Sequence, residues 1–359
     1  MPNESMPVSA AMEGEGAYNQ HAKLQESGGT MALPLLEKAA RTVALDSGDE
    51  PVVIADYGSS QGKNSLGPMR VAIKILRTRL GPHRPILVYH IDKPANDFNT
   101  LFQVLENDPD RYGLEEPNVF PSAIGRSFYK EVLPPDHVHL GWSSYAAVWL
   151  SRIPSLIPGH FSVIGAAADV HAEFERQAAQ DWKDFLSLRA SELRPGGRLV
   201  IVLPALEEDK SGFEDIMNHA NAVLAEMANE GAILVEERER MVLGGYPRRK
   251  SDLLAPFVED GQFQRLIVEH CGISVLPDAA WAAYQRDGDK DALATQHALF
   301  FRSTFAPSLA SALIPVRGAD ERRAFGDRLE AGLKRLLASN PVPVHTLVGT
   351  IVVAKQVSA

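Results

Sequence analysis

VVIADYGSSQGKNSL, Val52 to Leu66, is the stretch from which the fold is read. Val52, Val53, Ile54 and Ala55 run straight into Asp56, and a loop punctuated by Gly58 and Gly62 leads on to Asn64. A continuous apolar run is the pattern of a strand buried on both faces in a parallel sheet. Glycines just beyond it let a ligand come close to the backbone. The expected structure is a strand ending at a crevice, where an open α/β sheet takes nucleotide-like ligands. The loop is neither GxGxxG nor GK[ST], so neither the dinucleotide nor the P-loop fingerprint fits.

Outward from this stretch, apolar runs recur at 85–91, 119–124 and 137–142, separated by the amphipathic segments MRVAIKILRTRL and FNTLFQVLEND. Residues 17–45 read as a helical lead-in. A helix is expected over 176–193, ended by the glycines of Arg194-Pro195-Gly196-Gly197 acting as a C-cap. Further strands are expected over 198–204, 261–276 and 345–356. Alternating strands and helices imply a parallel sheet with right-handed crossovers. The helical blocks 206–247 and 278–339 have no sheet partners and read as a cap. Residues 1–205, 248–277 and 340–359 then form the α/β domain.

Composition narrows the function. Lys and Arg total 36 against 46 Asp and Glu, a formal charge of −10. Such a balance argues against a binder of duplex nucleic acid. Cys271 is the only cysteine, so neither an internal disulfide nor a multi-cysteine zinc site can form. No basic stretch followed by an apolar run opens the chain, and no run is long enough to span a membrane. A cytoplasmic protein is expected.

Four elements carry chemistry. Asp56 and its loop come first. Asp92, at the tip of the second strand, is placed to accept from vicinal ribose hydroxyls, or is a solvated strand-end acid. Asp97 or Asn96 reads as the N-cap of the next helix. Ser127 and Phe128 follow the third strand; Phe128 either stacks on an adenine or packs in the core. The last element is WSSYAAVWL, 142–150. There Tyr145 and Trp149, four apart, present donors on apolar bodies or are core aromatics.

In this order the motifs AYNQHAKLQ, ADYGSSQGKNS, IDKPANDFN, RSFY and WSSYAAVWLS resemble the SABATH methyltransferases. That family carries ADLGCSSGPNS, NDLPGNDFN, GSFY and HSSYSLHWLS at matching places. The resemblance is clear over roughly 12–204, including the PGG turn. It implies a Rossmann-like class I methyltransferase sheet, mostly parallel, seven-stranded with the last strand antiparallel, under an α-helical cap. It implies S-adenosylmethionine as cofactor, a small-molecule carboxylic acid as substrate, and a homodimer. Tyr18, Asp56, Gly58, Ser59 and Asn64 would line the methionine end. Asp92 would hold the ribose with Lys93 beside it, Ser127 and Phe128 would flank the adenine, and Ser143 would lie close by. Gln25 and Trp149 match the positions that grip the substrate carboxylate, and Tyr145 and Val148 match pocket walls.

Departures are informative. Ser59 replaces a cysteine, Lys93 a leucine, His21 an asparagine and Trp142 a histidine. Arg248 and Arg249 stand near a wall that is usually apolar. Some members bind magnesium through asparagine and acidic cap positions, which find no match here.

The implied reaction converts an acid to its methyl ester by in-line transfer. A carboxylate is ionised at neutral pH, so neither His21 nor His139 is needed as a base. Methylation of nitrogen or another oxygen, and non-catalytic cofactor binding, are the alternatives.

Overall fold

The computed structural model describes residues 23–114, 116–257 and 261–357. Helices α1 (Lys23–Met31) and α2 (Leu33–Thr42) precede β1 (Val52–Tyr57), α3 (Lys63–Leu80), β2 (Ile86–Asp92), α4 (Phe98–Asn107), β3 (Val119–Gly125) and β4 (Val138–Ser144). Helix α5 (Ala168–Glu192) then runs into β5 (Leu193–Leu206). After α6 (Glu214–Asn229) and α7 (Val235–Glu239) come β6 (Arg248–Arg249), α8 (Lys250–Leu254), β7 (Gln262–Phe263) and β8 (Leu266–Val275). The chain closes with α9 (Ala279–Asp287), α10 (Lys290–Ala310), α11 (Ala319–Ser339) and β9 (Leu347–Lys355).

The sheet order is β3-β2-β1-β4-β5-β9-β8-β7, with β6 paired to β5 off this path. Strands β1 to β5 are mutually parallel. Strand β9 is antiparallel to both of its neighbours. All seven expected strands are present, with the closing one antiparallel. The described residues add β6, whose two residues carry no period to read, and the region expected as one strand over 261–276 is two, β7 and β8, antiparallel across a turn at Gln264 and Arg265. The order reverses between β1 and β4, and at such a switch point the ends of neighbouring crossovers part to leave a crevice.

Every residue of β1 is buried, because the sheet is covered on both sides. Val52 and Ile54 join Leu36, Met69 and Ile73 of α2 and α3. Val53, Ala55 and Tyr57 face the other way, against Trp182 and Phe185 of α5. Burying such side chains stabilises the fold by roughly 1.5–3 kcal/mol each. Tyr57 also donates to Glu192 Oε2 at 2.8 Å, which fixes the end of β1 from below. The edge strand β3 carries Pro121, whose missing N–H is tolerated there.

The RPGG turn does not cap α5 as expected. The helix ends at Glu192, and Leu193 is already extended and pairs with Val138. The next pair is Leu140 with Arg198, so residues 194–197 bulge out of the ladder. Gly196 makes the bulge at φ +77°, where a Cβ would lie 2.4 Å from Ala44 Cβ.

A separate core is built by helices beyond the sheet. Leu224 of α6, Phe301 of α10 and Leu329 of α11 belong to it. Among the described residues no helix is long and apolar enough to cross a membrane.

Candidate active site

The loop after β1 is tied to the neighbouring strand, since Gly58 and Ser59 both donate to the Ile91 carbonyl, at 2.8 and 3.2 Å. Gly58 has φ +94°, and a Cβ there would sit 2.1 Å from Ala146 Cβ, so this close approach requires glycine. Asp56 is 2% exposed. Its Oδ2 accepts from Ser65 Oγ at 2.5 Å and lies 3.0 Å from His90 Nδ1. His90 Nε2 in turn meets the Tyr112 hydroxyl at 2.9 Å. One carboxylate is thus oriented from α3 and from β2.

Asp56, Gly58, Ser59, Asn64, Trp142 and Ser144 bound a small chamber together with Gln25. The Ser59 and Ser60 hydroxyls are buried without a partner among the described residues. An unpaired buried hydroxyl costs about 1–3 kcal/mol, which a polar ligand would offset. A carboxylate, free hydroxyls and a helix N-terminus suit a zwitterionic amino-acid group.

Asp92 stands beside this chamber. Its Oδ2 accepts from Ser60 N and its Oδ1 from Lys93 N, both at 2.7 Å. Burial pushes its carboxyl above the ordinary range, and the two N–H groups partly offset that. Burial pulls the Lys93 ammonium down. Asp97 caps α4 by accepting from Thr100 N, whereas Asn96 instead holds the Ser60 carbonyl at 2.8 Å. Phe128 is 6% exposed and packs edge-on to Phe185 at 5.8 Å, with its rim beside Gly58. Ser127 is half-buried and accepts from Tyr129 N at 3.3 Å. Ser143 is fully buried and gives its hydroxyl to the Tyr57 carbonyl at 2.9 Å, so the neighbouring Ser144 forms the chamber wall.

A second, larger cavity also contains Gln25, with an empty volume of about 720 Å³, mouth included. Tyr145, Val148 and Trp149 form its sheet side, and Phe213, Phe300, Thr304 and Phe305 its helical side. Among the described residues its lining holds no charged side chain and no histidine. Tyr145 takes a left-handed backbone, φ +56°, while its N–H donates to Val202 at 2.8 Å. Trp149 is held by the Tyr129 hydroxyl, which donates to its carbonyl at 2.8 Å.

Helix α1 lies close over the end of β4. A Cβ on Gly28 would be 2.2 Å from the Tyr145 hydroxyl oxygen, and one on Gly29 3.4 Å from Ser144 Oγ. Gln25, one turn earlier, therefore reaches both chambers. It is 5% exposed and donates from Nε2 to Thr304 Oγ1 at 3.0 Å.

Neither arginine enters the cavity. Arg248 is buried and donates to the carbonyls of Ala147 (2.6 Å) and Ala178 (3.2 Å), bracing the turn that carries Trp149. Arg249 pairs with Asp209 outside. His139 is buried in β4, where its Nδ1 accepts from Val53 N at 3.1 Å, away from both chambers. Tyr18 and His21 lie outside the described residues. Ser65, His90, Tyr112 and Thr304 were not singled out from sequence. Ser65 closes the GKNS motif and was within reach, whereas Thr304 lies 279 positions from its partner and gave no signal. Among the described residues no three His, Cys, Asp or Glu side chains group as metal ligands.

A family model described as SAM-dependent carboxyl methyltransferase matches residues 7–317. The chain belongs to this family. The methyltransferase has a relative in Fusarium sp. named Methyltransferase LUC1. The two are 34% identical over 231 residues, 62% of this chain and 59% of that one, so the match spans about three fifths of that protein's length. Salicylate carboxymethyltransferase of Clarkia breweri is 29% identical over 291 residues, 77% of this chain and 78% of its own. Loganic acid methyltransferase, solved with SAH, has the same fold. It superposes with TM-score 0.79 at 22% identity, covering 96% of this chain and 99% of that one. The SABATH resemblance and the class I methyltransferase fold therefore stand, and S-adenosylmethionine is the methyl donor.

Proposed function

We propose that the methyltransferase converts the carboxylate of a small, largely apolar organic acid to its methyl ester. The observation that carries this reading is the cavity lining, which among the described residues offers no His, Asp, Glu or Lys to take a proton from a nucleophile. A nucleophile that arrives already ionised fits such a cavity, and at neutral pH a carboxylate does so unaided. A ring N–H or a phenol would need a base.

Asp56, Gly58, Ser59, Asn64 and Tyr18 are proposed to hold the methionine end of the cofactor, Asp92 and Lys93 its ribose, and Ser127 and Phe128 its adenine. When bound, S-adenosylmethionine supplies an electrophilic methyl group on a sulfonium. Gln25 and Trp149 present neutral N–H donors to the acid, orienting it without neutralising it. Tyr145, Val148 and the phenylalanines exclude water. Residues 206–247 and 278–339 act as the substrate cap. Holding the acid oxygen in line contributes on the order of 7–11 kcal/mol through lost translational and rotational freedom. Charge disappears as the ester forms, and an uncharged wall favours that. The lone cysteine and the absence of a membrane-length helix among the described residues support a cytoplasmic enzyme. The family resemblance supports a homodimer.

The test is methyl transfer to a panel of aromatic, aliphatic and terpenoid acids, with the ester detected directly. Gln25→Ala and Trp149→Ala should each lower kcat/KM by roughly a hundredfold or more while SAH still binds. Wild-type rates in both variants, or turnover of ring N–H compounds and of no acid, would overturn the reading.

A further inference from the structure

We infer that Thr304, on the helical side of the cavity, is a positioning residue that turns the Gln25 amide toward the substrate. Thr304 is 4% exposed and stands between Phe300 and Phe305 on α10. Its Oγ1 accepts from Gln25 Nε2 at 3.0 Å, the contact that joins α1 to the helical layer. The other end of that amide, Gln25 Oε1, is buried and without a partner among the described residues. An unpaired acceptor is the wrong group to meet a carboxylate, since two acceptors repel.

The two ends of a carboxamide are nearly the same size and shape, so a half-turn about its last bond changes only the hydrogen bonding. After that half-turn the Thr304 hydroxyl donates to Oε1. The orphaned acceptor gains a partner, and the NH2 group stands free to donate to the acid. A threonine hydroxyl serves in both states because it donates and accepts. The neighbouring Ser303 spends its hydroxyl on the Phe300 carbonyl, the usual habit of a helical serine, so it does not duplicate this role. Substrate binding and the amide half-turn are then one event, with Thr304 holding whichever end the substrate leaves.

This inference rests on the carboxylate reading. Thr304→Val keeps the shape and removes the hydroxyl, whereas Thr304→Ser keeps the hydroxyl. Loss of one such hydrogen bond should raise KM for the acid roughly tenfold, with a smaller change in kcat. SAH affinity should stay within about twofold, Thr304→Ser should restore most of the loss, and in a Gln25→Ala background Thr304→Val should add nothing. An unchanged KM in Thr304→Val, an equal loss in the Gln25→Ala background, or a parallel loss of SAH binding would each overturn the role of Thr304 alone. Failure of the wild-type enzyme to esterify any acid would overturn the carboxylate reading, and this inference with it.

Discussion

Gly28 shows how much a single absent side chain decides. Glycine inside a helix costs roughly 0.5–1 kcal/mol relative to alanine. Here alanine forces a rearrangement, because its Cβ would fall 2.2 Å from the Tyr145 hydroxyl oxygen and 2.6 Å from the ring. The ring is buried and borders the cavity, so either it shifts into that space or α1 lifts. Gly28→Ala is therefore expected to displace either Gln25 or the Tyr145 ring in the cavity wall and lower kcat/KM by roughly tenfold or more, although alanine is the better helix former. Unchanged kinetics in the variant would mean that α1 does not need this contact. At the same scale, Asp56, Gly58 and Asp92 were legible because strand ends and glycines leave local marks. Asn96 and Asp97 were not separable by sequence, because both are good caps and only the position of the Ser60 carbonyl decides between them.

Elements add constraints that residues alone do not. Strand β4 carries His139 between sheet neighbours, and burial, with help from Arg194, holds its pKa down at about 4. Above pH 6.5 the ring is neutral folded or unfolded and contributes nothing to pH dependence. As pH falls below 6.5 the unfolded chain takes up a proton that the folded ring refuses, and stability is lost progressively down to about pH 4. The shift corresponds to on the order of 3 kcal/mol. Thermal unfolding followed against pH should show this loss, and His139→Gln, which keeps an acceptor for Val53 N, should flatten the curve between pH 6.5 and 4. Persistence of the full slope in that variant would assign it to other groups. The strands were readable by their apolar runs, but the RPGG segment was misplaced as a helix cap. A glycine-rich turn looks alike whether it ends a helix or loops out of a ladder, and the difference is made by Ala44, far away in sequence.

For the whole molecule, the small chamber at the strand ends was legible and the larger cavity only partly so. The small chamber takes most of its wall from one stretch, Asp56 to Ser65, joined by Gln25, Trp142 and Ser144, whereas the larger cavity joins residues 25, 145–149 and 300–305 across most of the chain. Sequence patterns carry local order well and such distant meetings poorly, which is why the cap arginines had to be seen in place to be dismissed. The uncharged cavity has a further consequence for turnover. Among the described residues the wall offers no counter-ion, so a neutral guest is hosted by the same apolar contacts as an ionised one. The ester keeps those contacts and loses only part of the hydrogen bonding from Gln25 and Trp149, so it is expected to linger where it was made, as a competitive inhibitor with a constant within about tenfold of the acid's own KM. Progress curves with added ester measure this directly, and an ester that does not inhibit would mean that the two N–H donors, not the apolar wall, dominate binding. Such an enzyme would run fastest where its product is carried away by partition into lipid or air.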